Sequence, residues 1–149
     1  MPHLAQLNIG KLLHPIDHPQ IAEFAQNLDR INALAEASEG FIWRLKDDSG
    51  NATSMHYYPD PLDIVNMSVW ESVEALKNFV YKSDHVTIYL KRADWFQPHT
   101  SPYMILWWIP ARHIPTVEEA KERLDYFQKN GESEYAFTFR RIPAEPSVV

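Results

Sequence analysis

The chain has no cysteine, which excludes disulfide frameworks, thiolate zinc sites and cysteine nucleophiles. Glycine is scarce, four in 149 residues. No glycine-rich phosphate loop and no Gly-x-Ser-x-Gly nucleophile elbow is present. Positive charge is in deficit: 14 Lys and Arg face 20 Asp and Glu, a formal net charge of −6. Nucleic acid and anionic membrane surfaces both reward clustered cations, so neither is expected as a partner. No stretch approaches the roughly 18 apolar residues of a membrane span. The opening Met1-Pro2-His3-Leu4 lacks the basic and apolar regions of a secretory signal, so the expected location is cytoplasmic.

What is present points to one globular domain over residues 1–149. Apolar residues make up 45% and charged residues 23%, near the averages for folded domains, and aromatics reach 13% with five Trp. A chain of this length buries roughly 70% of its unfolded surface, enough for a core.

Periodicity gives the element order. His3–Ile9 alternates as a first strand. Pro15 and Pro19 make a turn, and Pro19 suits a helix start. From Gln20 to Ser38, Ile21, Phe24, Ala25, Leu28, Ile31 and Ala35 recur at helical spacing, and Gly40 stops the helix. Phe41–Leu45 reads as strand two, Lys46–Asp63 as a long connection and Ile64–Trp70 as strand three. Ser72 caps a helix through Lys82, and Ser83-Asp84 opens a second one to about Phe96. Tyr103–Ile109 is a continuous apolar strand four. Thr116 to Glu119 forms a capping box for a helix to Lys129. Tyr135–Arg140 reads as a last strand, with a loose tail over Pro143–Val149.

This order is β-α-β-β-α-β followed by α-β, so the expected fold is α+β, ferredoxin-like, with an appended C-terminal helix and strand. Strand four is apolar on both faces. With helices on one face of the sheet, the other is expected to meet a second chain, giving a homodimer.

Ser68-Val69-Trp70-Glu71-Ser72 through Leu76, with Phe79 and Ser83-Asp84-His85, resembles the antibiotic-biosynthesis-monooxygenase-like branch of the dimeric α/β-barrel superfamily. Ala5–Ile9, Asp29–Leu45, Val65–Tyr81, Leu106–Pro115 and Thr116–Leu124 resemble one bacterial family of it, domain of unknown function 3291. The resemblance implies a ferredoxin-like fold paired into a dimeric α/β barrel. It implies no established activity for the family. Elsewhere in the superfamily it implies oxygenation, lactone isomerisation and related proton transfers.

The candidate site residues are polar side chains on apolar strands. Gln6 and Asn8 share one face of strand one, and Asn66, Ser68 and Trp70 share one face of strand three. These strands are neighbours in the split fold, so the groups are expected to form either a mutual network or a ligand pocket. Trp43 and Trp108 are candidate walls, and Trp107 points the other way from Trp108. His85 opens a helix near the strand-three exit and titrates near neutrality, a candidate acid or base beside Asn8 and Asn66. His113 is expected to bond backbone in its proline-braced turn. His14 and His18 are separated by prolines and do not read as a metal pair.

Haem-degrading enzymes share this fold. Asn8 fits their pattern, but Phe79 and Tyr89 stand at the later positions and supply no imidazole ligand. No cofactor or metal is expected. The sequon Asn51-Ala52-Thr53 lacks a secretory context. Two functions remain: a cofactor-independent monooxygenase- or isomerase-like protein binding a flat aromatic or polyketide-like metabolite, or a non-catalytic binding and assembly protein.

Overall fold

The computed structural model describes residues 2–46, 62–83, 85–98 and 103–146, with backbone only for 87–89. The connection 47–61 with His56 and the sequon, the side chain of Tyr89 and the last residues of the tail lie outside the described residues. The elements are β1 (His3–Lys11), α1 (Ala22–Glu36), β2 (Phe41–Arg44), β3 (Asp63–Trp70), α2 (Val73–Lys82), α3 (His85–Leu90), β4 (Met104–Ile109) and α4 (Val117–Asn130). The strands form an antiparallel sheet in the order β2-β3-β1-β4. Reached by a βαββαβ path, that order is the ferredoxin-like arrangement.

Local chemistry fixes the helix starts. Ser72 Oγ accepts the Ala75 N–H at 3.1 Å, and His18 Nδ1 accepts the Gln20 N–H at 3.0 Å ahead of α1. Thr116 Oγ1 accepts the Glu119 N–H at 3.0 Å. The return bond of the expected capping box is replaced. The Glu119 carboxylate instead takes the Trp107 indole N–H at 3.0 Å and meets His113 Nε2 at 2.6 Å. A partly buried indole donor and an imidazole outcompete one backbone N–H. The expected bond of the His113 side chain to turn backbone is thus corrected: its imidazole engages the Glu119 carboxylate, and only its main-chain N–H reaches the Pro110 carbonyl.

The pleat divides the sheet into two faces. Ala5, Leu7, Val65, Met67, Val69, Ile105, Trp107 and Ile109 bury together with Ala120, Leu124 and Phe127 of α4. Leu4, Trp70 and Leu106 face the other way, with Ala35, Leu76 and Phe137. Both faces of β4 are therefore covered within one chain. The appended helix supplies cover that the sequence pattern assigned to a partner.

Two elements are shorter than periodicity suggests. The helix opened at Ser83-Asp84 ends at Leu90, and a 3-10 turn follows at Arg92–Asp94. The break brings both Trp95 and Phe96 against Phe24, at 5.6 and 5.1 Å between ring centroids. The last strand contracts to one bridge, Leu106 to Phe137. Beyond it the Thr138 hydroxyl bonds Glu132 and accepts the Arg140 N–H, so local bonds replace a ladder.

Candidate functional site

Helix α1 is held to the rest of the molecule near its two ends. Ile21, just before it, and Phe24 in its first turn bury with Leu12 and Trp95. Ala35 in its last turn buries with Leu4, Trp70 and Leu76. Between the anchors lies a cavity of about 740 Å³. Gln6, Asn8 and Gly10 of β1 and Ile64, Asn66, Ser68 and Trp70 of β3 line it from the sheet. Phe24, Leu28 and Ile31 line it from α1; Leu76, Phe79, Val80 and His85 line it from α2 and the start of α3. Leu28 and Ile31 belong to the apolar stripe of α1 but stay only half-buried.

Gly10 shapes one end. A Cβ there would stand 2.8 Å from two ring atoms of Phe96, so the missing side chain lets that ring lie on the strand. At the other end Trp70 is fully buried. Phe79 stacks on it at 5.2 Å, and Phe41 meets it edge-on at 5.5 Å.

A directed hydrogen-bond chain runs along the sheet side. The Trp70 indole N–H donates to Ser68 Oγ at 2.9 Å. The Ser68 hydroxyl donates to Gln6 Oε1 at 3.2 Å. Gln6 Nε2 then donates to Asn8 Oδ1 at 3.1 Å and to Asn66 Oδ1 at 3.2 Å. Gln6 and Ser68 are buried, whereas Asn8 is half-buried and Asn66 exposed at the cavity. Asn66 opens onto the cavity, so its presence in mid-β3 carries little desolvation cost.

His85 Nδ1 lies 3.3 Å from the Val80 carbonyl. A carbonyl only accepts, so the proton sits on Nδ1 and the Nε2 lone pair is free to take another. Burial pushes the imidazole pKa below its ordinary 6.5, opposed by the Val80 bond. Burial therefore favours the neutral ring.

Gln6, Asn8, Asn66, Ser68, Trp70 and His85 thus come together on one cavity. Trp43 does not join them. A register shift between Phe41 and Trp43 leaves Trp43 opposite Val69, on the α4 side of the sheet. Unbroken alternation would have kept Phe41 and Trp43 on one face. Trp108 shares the cavity face but lies outside the lining, where its indole N–H donates to the Pro143 carbonyl at 3.4 Å. Phe79, at a position tied to the haem pattern, fills space beside Trp70. His14 and His18 stack at 4.0 Å. Among the described residues no three His, Asp or Glu side chains converge as metal ligands. Lining residues that the sequence did not single out include Phe24, Leu28, Ile31 and Phe139. They read there as ordinary core; Phe24 is indeed buried, and Leu28, Ile31 and Phe139 are only partly so.

A family model described as a domain of unknown function (DUF3291) matches residues 3–148. The crystal structure of NE2512, a protein of unknown function from Nitrosomonas europaea, aligns with a TM-score of 0.50 at 17% identity, over 78% of this chain and 97% of that one. SnoaB, a cofactor-independent oxygenase from Streptomyces nogalater, aligns with a TM-score of 0.48 at 14% identity, over 76% and 97%. The first of these likenesses speaks to the fold alone. No curated protein matches the chain.

Proposed function

The chain belongs to the DUF3291 family, whose description assigns no activity, and from that premise we propose that the cavity takes a flat aromatic or polyketide-like metabolite and assists removal of a proton from it without a cofactor. The observation that carries this reading is the pair Asn8 and Asn66. Their carbonyl oxygens are engaged by Gln6, and their NH2 groups have no partner among the described residues. Two unspent amide donors beside a largely apolar cavity suit an oxygen that gains negative charge.

His85 supplies the base. An acidic C–H next to a carbonyl, or a phenol O–H, passes its proton to Nε2. The electron pair moves onto the ligand oxygen, where Asn8 and Asn66 hold the enolate or phenolate. Return of the proton to a different carbon makes the reaction an isomerisation. Addition of molecular oxygen to the carbanion gives a peroxide anion; it takes the proton back from His85, and loss of water across the O–O and remaining C–H bonds leaves a new carbonyl, an oxygenation. Trp70 and Phe79 offer apolar faces for the ring system.

The test uses 1-indanone, a flat bicyclic ketone, in deuterated water. Wild-type protein should accelerate exchange of the protons next to its carbonyl, followed by proton NMR, and His85→Gln should lose that acceleration. Equal rates with and without protein would contradict the catalytic reading. Binding without turnover is the second reading. It is favoured by Phe79, whose ring contacts both Trp70 and His85, at 5.2 and 5.0 Å, and is placed to screen the imidazole.

A homodimer belongs to the same proposal, supported by the resemblance to dimeric α/β barrels. Because β4 is covered within the chain, the surfaces left for it include the exposed apolar side chains Ile42, Tyr81, Leu90, Ile114 and Tyr126.

A further inference from the structure

We infer that Gln6 is a positioning residue that sets the polarity of the sheet side of the cavity, so that Asn8 and Asn66 select ligands presenting a hydrogen-bond acceptor to them. This rests on the cavity being a ligand site, as proposed above.

The direction of the chain is fixed at its buried end. An indole nitrogen only donates, so Trp70 occupies a lone pair of Ser68 Oγ. The Ser68 proton then needs an acceptor, and Gln6 Oε1 at 3.2 Å provides it. Turning the Gln6 amide over would leave that proton facing an NH2 group, with no acceptor. With Oε1 held at Ser68, both N–H groups of Gln6 point at Asn8 and Asn66 and require oxygen from each. Each asparagine must therefore turn its carbonyl toward Gln6 and its NH2 group away from it. An indole buried at one end of β3 thus determines, through Ser68 and Gln6, that Asn8 and Asn66 meet the ligand with their two donors, opposite the acceptor Nε2 of His85. Gln6 itself is 8% exposed and bonded at both ends of its amide, with both of its N–H groups engaged.

Reversing one group tests the inference. Gln6→Glu keeps the size of the side chain and still accepts from Ser68. Its carboxylate accepts where the amide donated, so Asn8 and Asn66 must turn their NH2 groups inward and show carbonyls to the cavity. The probes are neutral and of similar size: 1-indanone, which only accepts, and indole, which donates through N–H. Isothermal titration should give wild-type protein a preference for 1-indanone of about tenfold or more. Gln6→Glu should invert it. An unchanged preference in a variant that binds both probes overturns the inference and leaves the cavity reading standing.

A second measurement needs neither ligand nor variant. Side-chain amide exchange in the free protein, read by NMR, should be slow for the Gln6 NH2 and fast for those of Asn8 and Asn66. Slow exchange at the asparagines with fast exchange at Gln6 overturns the inference whatever the probes do. Failure of both probes to bind any form, with the expected amide pattern, counts against the ligand site and not against the Gln6 arrangement.

Discussion

At the scale of the residue, His85 ties function to pH. Its pKa is held below 6.5 chiefly by burial, so the proton-accepting form predominates above that value. Exchange of the indanone protons should climb with pH along a limb below 6.5 and level off above it, and His85→Gln should flatten the profile. Stability has the same sign. The unfolded chain takes up this proton at a higher pH than the folded one does. Stability is therefore complete above 6.5 and declines as pH falls toward the lowered folded value. A profile that rises toward acid would contradict the assignment. These residues were legible to different degrees. Asn8, Asn66 and Gln6 stood out because amides on apolar strands are exceptions to alternation. Trp43 was misplaced because one bulge residue shifts its face, and nothing in Phe41–Leu45 marks the bulge. The orientation of the amides was not legible, since it depends on contacts across strands some 60 positions apart in sequence.

At the scale of the element, Gly40 is the clearest constraint. Its φ is +84°, and a Cβ there would stand 2.5 Å from the Cβ of Ala75 in α2. Both the backbone angle and the close approach require glycine between α1 and β2. Gly40→Ala should destabilise by about 1–3 kcal/mol, read from a shifted urea midpoint. Adding Ala75→Gly should recover the part due to the clash and leave the part due to φ. No loss in the single variant would contradict the packing described. The periodic stripe revealed α1, and Ser72 and Thr116 revealed the starts of α2 and α4. The lengths of α3 and the last strand were hidden, because Trp95 and Phe137 are drawn into tertiary contacts that periodicity does not encode. A pocket beside Asn8 and Asn66 was legible, but its extension under α1 was hidden. A helix packed on a sheet and a helix bridging a gap show the same apolar stripe.

At the scale of the whole molecule, the strand order followed from the order of elements, because a βαββαβ chain has few ways to close a sheet. The role of α4 did not follow. The continuous apolar run of β4 is equally consistent with cover by a partner or by an appended helix, and here α4 with the Phe137 segment supplies it. A homodimer should still sediment at twice 17.4 kDa at micromolar concentration. Three substitutions of β4, Ile105→Ala, Trp107→Ala and Ile109→Ala, should destabilise the chain without splitting it. A monomer of wild-type protein would contradict the dimer.

The central claim is that the space between the sheet and α1 holds a small molecule through Asn8 and Asn66. Mass spectrometry of what co-purifies with the protein from its native cells tests it most directly, with Asn66→Ala run in parallel. The variant should fold, because Asn66 is exposed and Gln6 keeps its bonds to Asn8 and Ser68. Wild-type protein should carry a flat aromatic or enolic compound with an acidic oxygen, and the folded variant should be stripped of it. Equal retention of one compound by both proteins, or none by either, would contradict the account.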